Sequence, residues 1–346
     1  MDNATASPFT PRHSMNANIA SLTRRLLTFT LAAASLLSTL TTRAAEAKKD
    51  DTFLDAKDAG ADFQVQGEYA ADKLGAQVIA LGNGTFRAVF HQGGLPGAGW
   101  DGEAKVEIDG KTADGKTTFA AADGKGYSAE ITDGTTLTGK TDAGVSFSLK
   151  KIVRESPTAG AKPPAGAVIL FDGANADAWA GGHTDQRNLL ASGSKTKQLF
   201  GDFTLHVEFL LPFKPFGRGQ GRANSGVYMQ DRYEVQVLDS FGLKGLNNEC
   251  GGIYTKAAPR VNMCFPPLSW QTYDIDFTAA RFDDAGKKTK NAIATVKHNG
   301  VLIHEQYEIP GPTGGGAPEK PTPGAIQLQG HGNPVFYRNV WIVEKK

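Results

Sequence analysis

Three short runs in the second half of the chain alternate between apolar and polar residues, and they constrain the fold more than any other feature. They span residues 203–209, 233–238 and 326–331. Because successive side chains of a strand point to opposite faces, each run predicts a β-strand with one apolar and one polar face. The polar faces carry Glu, Gln and His in place of the Lys, Thr and Ser of an ordinary solvated face. We expect these strands to share one sheet, whose open face is suited to a polyhydroxylated ligand.

The composition extends this prediction to an all-β protein. The chain has 346 residues, which is long enough for two domains with cores of their own. Its 41 Gly and 17 Pro, with only 21% charged residues, favour turns and short strands over long helices. The formal net charge of +1 gives no electrostatic reason to expect a nucleic-acid partner.

The N-terminal 47 residues have the pattern of a signal peptide. Arg24 and Arg25 precede an apolar stretch at residues 26–40, and a small-x-small cleavage site follows at residues 45–47. Met15 is the expected true start, because it gives the arginines a conventional position. The apolar stretch is shorter than the ~20 residues of a membrane span, so we expect no stable span after cleavage. The sequence therefore predicts export to the periplasm or the extracellular space.

Export would place Cys250 and Cys264, the two cysteines of the chain, in an oxidising compartment. In an oxidising compartment, a pair separated by a loop is most simply a disulfide. Closing a loop of about 15 residues would stabilise the fold by ~3 kcal/mol in the chain-entropy model. We predict that these cysteines form a structural disulfide.

Turn signals and composition divide the remaining chain. Residues 48–155 contain short β-like runs separated by Asp-Gly turns, which predicts a small all-β accessory domain. Residues 156–166 are rich in Pro, Ala and Gly, as is typical of a linker. An apolar strand opens a second domain at residues 167–346, and the Asn299-Gly300 pair in it predicts a tight hairpin. Strands with few helical segments favour a two-sheet jelly roll for this domain.

The glycine-rich residues 217–221 do not predict a nucleotide cofactor. They follow Pro212 and Pro215 and lead into a strand, whereas a dinucleotide fingerprint closes a strand and opens a helix. Arg218 in this loop is expected to border a cleft, because a guanidinium fork suits vicinal hydroxyls and carbonyls.

The predicted polar face supplies the candidates for chemistry. Glu208, Glu234 and Asp239 are the carboxylates most expected to lie near one another, and a carboxylate pair is typical of glycosidases. A solvated strand face would also carry Glu, so both interpretations stay open. His331 and His206 lie on the same predicted face, where an imidazole can be a general base or a metal ligand.

Several motifs in a fixed order resemble one family. They are residues 169–173 (Ile-Leu-Phe-Asp-Gly), 201–205 (Gly-Asp-Phe-Thr-Leu), 224–228 (Asn-Ser-Gly-Val-Tyr), 233–239 (Tyr-Glu-Val-Gln-Val-Leu-Asp), 252–254 (Gly-Ile-Tyr), 270–273 (Trp-Gln-Thr-Tyr), 324–331 (Gly-Ala-Ile-Gln-Leu-Gln-Gly-His) and 336–340 (Phe-Tyr-Arg-Asn-Val). In this order they resemble the 3-keto-disaccharide hydrolase family, also described as 3-keto-glucoside 1,2-lyase and 3-keto-2-hydroxy-glucal hydratase. The resemblance covers about residues 167–346, and the accessory domain lies outside it.

The resemblance implies a concanavalin A-like (LamG-like) jelly-roll β-sandwich that cleaves 3-keto glycosides or disaccharides. A ketone on C3 acidifies the proton on C2, so a base can remove it and the glycosidic oxygen on C1 can leave by β-elimination. Water then adds to the unsaturated product, which completes a net hydrolysis. The reaction needs a base, an acid and stabilisation of the enolate oxygen, and a divalent metal ion would provide the last.

Position on the predicted face and the chemistry of the reaction give the candidate residues their roles. The catalytic candidates are His331, Glu234 and Glu208; the substrate-binding candidates are Gln236, Gln329, Tyr228, Tyr254, Arg218, Arg338 and Asn339; the metal ligands would be Asp239, His331 and Glu234. A hydrogen-bond network at a sheet end is an equally open role for Arg338 and Asn339.

A non-catalytic, lectin-like carbohydrate-binding module is the competing class, because this sandwich fold supports both lectins and enzymes. Turnover of a 3-keto glycoside, and its loss on replacing His331 or Glu234, would separate the two.

Overall fold

The computed structural model describes residues 51–345, and the predicted signal peptide at residues 1–47 lies outside them. The described chain forms antiparallel sheets with one short helix, which confirms the predicted all-β class. Among residues 51–345, no helix combines the length and apolar character needed to cross a membrane.

Eight antiparallel strands close into a small barrel ahead of the sandwich. A 3-10 turn (Ala56–Asp58) and a helix (α1, Gly60–Val65) precede them. The strands are β1 (Gly67–Ala71), β2 (Leu74–Gly82), β3 (Thr85–Gln92), β4 (Val106–Ala113), β5 (Lys116–Ala120), β6 (Ser128–Ile131), β7 (Thr136–Lys140) and β8 (Ser146–Ile152). Buried aromatic side chains such as Tyr69, Phe86 and Phe119 fill its interior, as expected of a barrel of this size.

Two facing sheets form the remainder of the described chain. The five-stranded sheet has the order β10 (Trp179–Ala180), β12 (Ser194–Thr196), β21 (Gln327–Leu328), β14 (Ser225–Met229) and β15 (Tyr233–Val237). The seven-stranded sheet has the order β11 (Leu190–Ala191), β22 (Phe336–Glu344), β13 (Phe203–Leu210), β16 (Trp270–Thr278), β19 (Ala292–His298) and β20 (Val301–Ile309), and β9 (Val168–Phe171) pairs with β22. A ribbon of β17 (Arg281–Phe282) and β18 (Lys288–Lys290) is separate from both.

The core lies between the two sheets, where the predicted apolar faces meet. Val235 and Val237 from β15 and Leu205 and Val207 from β13 are all fully buried in it. Pairing of Val227 with Val235 aligns β14 with β15. The alternation therefore assigned each side chain to the correct face of its strand.

The expectation that all three alternating strands share one sheet is wrong. Strand β13 belongs to the seven-stranded sheet, whereas β15 and residues 327–331 belong to the five-stranded sheet or its edge. The polar faces consequently point away from the core in opposite directions. The period of two specifies which face a side chain occupies, but it carries no information on which sheet a strand joins.

The barrel and the sandwich are packed against each other. Phe213, from the chain that follows β13, is fully buried within the barrel core. Ile79 from β2 packs in turn into the core of the sandwich. The guanidinium of Arg154, which follows β8, lies over the ring of Phe265 with 4.8 Å to the ring centroid. Apolar and cation–π contacts thus join the two parts.

The predicted disulfide is not present in this structure, because Cys250 and Cys264 are both free, buried thiols. The Cys250 Sγ lies 3.2 Å from the Tyr273 hydroxyl. The Cys264 thiol lies 3.5 Å from the carbonyl oxygen of Leu238. Each sulfur therefore has its own polar partner in the core.

Candidate active site

A polar pocket of about 330 Å³ lies on the outer face of the five-stranded sheet. Its volume falls in the range of small-ligand sites. Strand β15 contributes two side chains to it, and the loops around residues 220, 254 and 314 enclose it. The lining residues are Gln220, Asn224, Glu234, Gln236, Tyr254, Gly314, Gly315, Gln329 and His331.

Glu234 is the buried carboxylate of this pocket, with 2% of its surface exposed. The Tyr228 hydroxyl donates a hydrogen bond to its Oε2 at 2.8 Å. Its backbone N–H donates to the Thr313 hydroxyl at 2.9 Å. Burial raises the pKa of Glu234 to about 7, and the Tyr228 hydrogen bond offsets only part of this effect. The carboxyl can therefore hold or release a proton near neutral pH.

The backbone around Glu234 is shaped to receive its carboxyl group. A Cβ on Gly226, which lies on the neighbouring strand β14, would sit 2.2 Å from Glu234 Oε1. Gly315 has a φ of +78°, and a Cβ there would lie 3.0 Å from the Tyr228 hydroxyl. Glycine is needed at both positions, the second also because its backbone is left-handed.

Tyr228 is held behind the pocket by two further contacts. Its hydroxyl oxygen lies 2.8 Å from the Gly314 carbonyl oxygen, a second acceptor within reach of its single proton, and it accepts from Gln329 Nε2 at 3.2 Å. The phenol thus ties the carboxyl of Glu234, the loop at Gly314 and a neighbouring amide into one network. Such a network fixes the orientation of its members.

The predicted residues of the five-stranded sheet come together in the pocket. Glu234, Gln236 and Gln329 line it directly, and Tyr228 supports them from behind. Tyr254 is half-buried, and His331 is exposed at the rim. The pocket therefore combines a carboxyl group, an imidazole, amides and a phenol ring.

Glu208 is not in this pocket, which corrects its predicted place beside Glu234. It lies on β13 in the other sheet, where it accepts hydrogen bonds from Arg338 at 2.7 Å and Asn339 at 2.8 Å. The backbone N–H of Gly160 donates to it at 2.6 Å, and His206 Nε2 lies 3.5 Å away. Arg338 and Asn339 therefore serve a hydrogen-bond network on the opposite face of the sandwich.

Burial and hydrogen bonding act against each other on this second carboxylate. Burial alone would raise the pKa of Glu208, but the hydrogen bonds from His206, Asn339, Arg338 and Gly160 outweigh it and lower the pKa to about 2. A carboxylate that is fully buried, ionised and saturated with donors is a structural group.

Arg218 and Asp239 also lie outside the pocket. Arg218 donates to the carbonyl oxygens of Pro215 and Leu81, each at 2.6 Å, so it fastens its loop to the barrel. Asp239 is buried in an ion pair with Arg222 at 2.7 Å. The predicted metal site of Asp239, His331 and Glu234 is therefore not assembled. Within residues 51–345, no cluster of three or more His, Cys, Asp or Glu side chains is arranged to hold a metal ion.

Four lining residues were absent from the predicted site: Gln220, Asn224, Gly314 and Gly315. Asn224 directly precedes β14, and Gln220 lies in the glycine-rich loop at residues 217–221. Residues 314–316 are consecutive glycines. The sequence marks these positions as a strand end or a glycine-rich loop. It does not show that they lie next to β15, because that proximity depends on the fold.

Comparison with known proteins relates the chain to sugar-processing proteins. Residues 166–343 match the model of a family described as 3-keto-alpha-glucoside-1,2-lyase-like domain. A solved structure from Parabacteroides distasonis, described as a candidate glycosyl hydrolase, is 34% identical, with a TM-score of 0.49 over 53% of this chain and 85% of that one. Two more from the same organism, described likewise, are 17% and 21% identical. Their TM-scores are 0.39 and 0.37, over 56% and 52% of this chain and 99% of each of theirs. The curated proteins searched contain no match to the chain.

Proposed function

The chain belongs to the family of 3-keto-alpha-glucoside-1,2-lyase-like domains, and on that basis we propose that it is an exported carbohydrate-active enzyme that cleaves 3-keto glycosides or disaccharides. The family supports this substrate class, and the pocket on the five-stranded sheet is its proposed site.

The observation that carries this proposal is the environment of Glu234. A general base acts best when its pKa lies near the working pH. Burial raises the pKa of Glu234 to about 7, and the carboxyl group lines a pocket whose other walls are amides and a tyrosine. A sugar-binding module has no need of a buried carboxyl group with a displaced pKa, so this feature favours an enzyme.

The proposed reaction begins with removal of the C2 proton by ionised Glu234. The electron pair of the C2–H bond forms the C1–C2 double bond, and the glycosidic oxygen leaves C1 with its bonding pair. Protonated His331, at the rim of the same pocket, supplies the proton for this leaving oxygen. Water then adds to C1 and gives one proton to the now neutral His331. Glu234, whose carboxyl proton exchanges with solvent, protonates C2, which completes a net hydrolysis.

The remaining residues would bind and orient the sugar. Gln236 and Gln329 would offer amides to hydroxyl groups, and the half-buried ring of Tyr254, which lines the same pocket, would stack on the sugar. Tyr228 holds the carboxyl group of Glu234 in position. The mechanism takes no step through a metal ion, because the expected third ligand, Asp239, is held by Arg222.

The test is proton NMR of the protein with methyl 3-keto-α-glucoside in deuterated water. We expect methanol release with deuterium incorporated at C2, because elimination and hydration pass through a carbon that has lost its proton. Direct hydrolysis without elimination would leave the C2 proton in place at early times. An enzyme-free sample corrects for spontaneous exchange next to the ketone.

Glu234→Gln in the same experiment should lower the release of methanol by about 10²-fold or more while the sugar still binds. A chelator arm tests for metal dependence, and unchanged release would assign the chemistry to the side chains alone. Binding without turnover in the native protein would identify a carbohydrate-binding module. Absence of binding would contradict the proposed site altogether.

A further inference from the structure

Two amide oxygens in the pocket wall have no hydrogen-bond partner. They are Asn224 Oδ1 and Gln236 Oε1, and both are fully buried. Their residues are 2% and 1% exposed and line the pocket beside Glu234. An unsatisfied buried acceptor costs about 1–3 kcal/mol, so this wall is built to be completed by donors from a ligand.

A chain of hydrogen bonds fixes the orientation of each amide. The Asn248 backbone carbonyl can only accept, and Gln220 Nε2 donates to it at 2.8 Å. Gln220 Oε1 is therefore turned the other way, where it accepts from Asn224 Nδ2 and from Gln236 Nε2, each at 2.9 Å. Because one end of each amide is a donor and the other an acceptor, the two nitrogens are used by Gln220 and the two oxygens are left without a protein donor.

We propose that Gln220 is a positioning residue that determines specificity. It orients the amides of Asn224 and Gln236 so that their two oxygens accept hydrogen bonds from two hydroxyl groups of the bound sugar. This inference rests on the proposed function, since a sugar is the ligand that brings several O–H donors into one small pocket. Gln220 acts through Asn224 and Gln236, which make the contacts. A substituent that accepts but cannot donate is rejected at the two selected positions.

Fluorine in place of a hydroxyl group provides the test, because it removes the donor while nearly preserving size. The probes are methyl 3-keto-α-glucoside and its deoxyfluoro analogues at C2, C4 and C6. Calorimetric titration uses the Glu234→Gln protein, which blocks turnover. We expect fluorine at two of the three positions to weaken binding by about 10- to 100-fold, as the loss of a donor to a buried acceptor implies. Equal binding of all the analogues would overturn the inference.

Two substitutions of Gln220 separate positioning from a merely structural role. Gln220→Met removes both polar atoms and frees the two wall amides to turn, so the discrimination against fluorine should shrink to within about 3-fold. Gln220→Glu keeps oxygens that accept from both amides, so the discrimination should persist. Thermal melting of both variants checks the fold. The positioning role is wrong if the two variants discriminate alike.

The same titrations distinguish the failure of this inference from that of the proposed function. If the parent 3-keto glucoside does not bind, the proposed function fails. If it binds and its fluorinated analogues bind equally, only the inference fails. A gain in sugar affinity on adding Mn²⁺ or Ca²⁺, abolished by Asn224→Leu, would assign the oxygens to a cation and overturn the inference.

Discussion

Glu234 and Glu208 show how the surroundings decide the chemistry of one residue type. Both side chains are buried on outer faces of the sandwich, so the loss of hydration acts on both carboxyl groups. Glu234 has one hydrogen bond from a phenol, and burial dominates, which raises its pKa to about 7. Glu208 accepts hydrogen bonds from four residues. Their effect is larger than the rise in pKa that burial would cause, and the pKa of Glu208 is lowered to about 2. The first carboxyl group can exchange protons near neutral pH, and the second is a fixed anion.

The Tyr228 hydrogen bond sets part of the pH dependence of the proposed reaction. Because the bond stabilises the ionised carboxyl group, it lowers the pKa of Glu234, and Tyr228→Phe should raise that pKa further. The base must be ionised to act, so kcat/KM should rise with pH around neutrality, and the inflection should move to higher pH in the variant. A hydrogen bond of ~1.4 kcal/mol corresponds to about one pH unit.

A matched control is Tyr254→Phe, which removes a hydroxyl group from the pocket without removing the bond to Glu234. Its pH profile of kcat/KM should keep the inflection of the native enzyme, whatever its rate. A shift toward lower pH in Tyr228→Phe would contradict the assignment of Glu234 as the base.

Glu208→Gln should affect stability rather than turnover. The substitution removes the anion that Arg338 and His206 face, so we expect a loss of ~2–3 kcal/mol at neutral pH. The folded pKa is lowered, so the stabilisation is present above the unfolded value of 4.5 and is lost as pH falls toward about 2. Melting curves should therefore differ between native protein and variant at pH 7 and converge at low pH. A kcat reduced as strongly as in Glu234→Gln would return Glu208 to the active site.

At the scale of the secondary-structure elements, local sequence patterns predicted which face of each strand is buried, but they did not predict which strands pair with one another. The alternation around Val235 and around Leu205 placed the apolar side chains in the core as predicted. It could not show that β13 pairs with β16 and β22 rather than with β15, because pairing depends on chain connections far apart in sequence. The predicted site is consequently divided between two places: its β15 residues line the pocket, and its residues of β13 and β22 belong to the other sheet.

The predicted linker shows the same limit of local patterns. Composition at residues 156–166 indicated a linker, and several of these residues also form hydrogen bonds with the seven-stranded sheet. The Ser156 hydroxyl lies 2.6 Å from that of Thr272, and Trp341 Nε1 donates to the Ala161 carbonyl at 3.3 Å. Buried polar side chains on a sheet face require partners, and this segment supplies them. Such a role depends on the residues it covers, which composition does not reveal.

The glycine loop at residues 311–316 offers a test of how an element positions the site. Gly315→Ala forces a left-handed backbone on alanine and places a methyl group 3.0 Å from the Tyr228 hydroxyl. We expect a stability loss of about 1 kcal/mol, and a loss of roughly 10-fold or more in kcat/KM because a small displacement of a catalytic group is costly. Steady-state kinetics and thermal melting measure the two effects.

Gly311→Ala in the same loop is the matched control. A Cβ there has nothing within 4 Å, and the backbone is not left-handed, so stability should change by no more than about 0.5 kcal/mol and kcat/KM should stay near native. Equal effects of the two substitutions would show that the loop responds to any added methyl group rather than to the contact with Tyr228.

At the scale of the whole molecule, the barrel and the sandwich each bury apolar side chains in the core of the other. Phe213 belongs to the sandwich by sequence but is buried with Phe53 and Phe63 beside the barrel, with ring centroids 5.9 and 5.3 Å away. Its backbone also pairs with that of Phe53 through two hydrogen bonds of 2.9 Å. Turn signals and linker composition separate the two parts well in sequence, because they report local chain direction. They cannot report a side chain that crosses from one part into the core of the other.

This shared packing predicts that the two parts unfold together. Calorimetry of the native protein should show a single cooperative transition, because separating the barrel would expose Phe213 and the sandwich contacts of Ile79. Phe213→Ala should destabilise by ~3–5 kcal/mol and lower Tm by roughly 10 °C. Val145→Ala, at a barrel residue that is 63% exposed, should stay within about 0.5 kcal/mol of native. Two separate transitions, with Phe213→Ala shifting only one of them, would mean that the barrel is an independent domain whose contacts contribute little to the stability of the sandwich and its pocket.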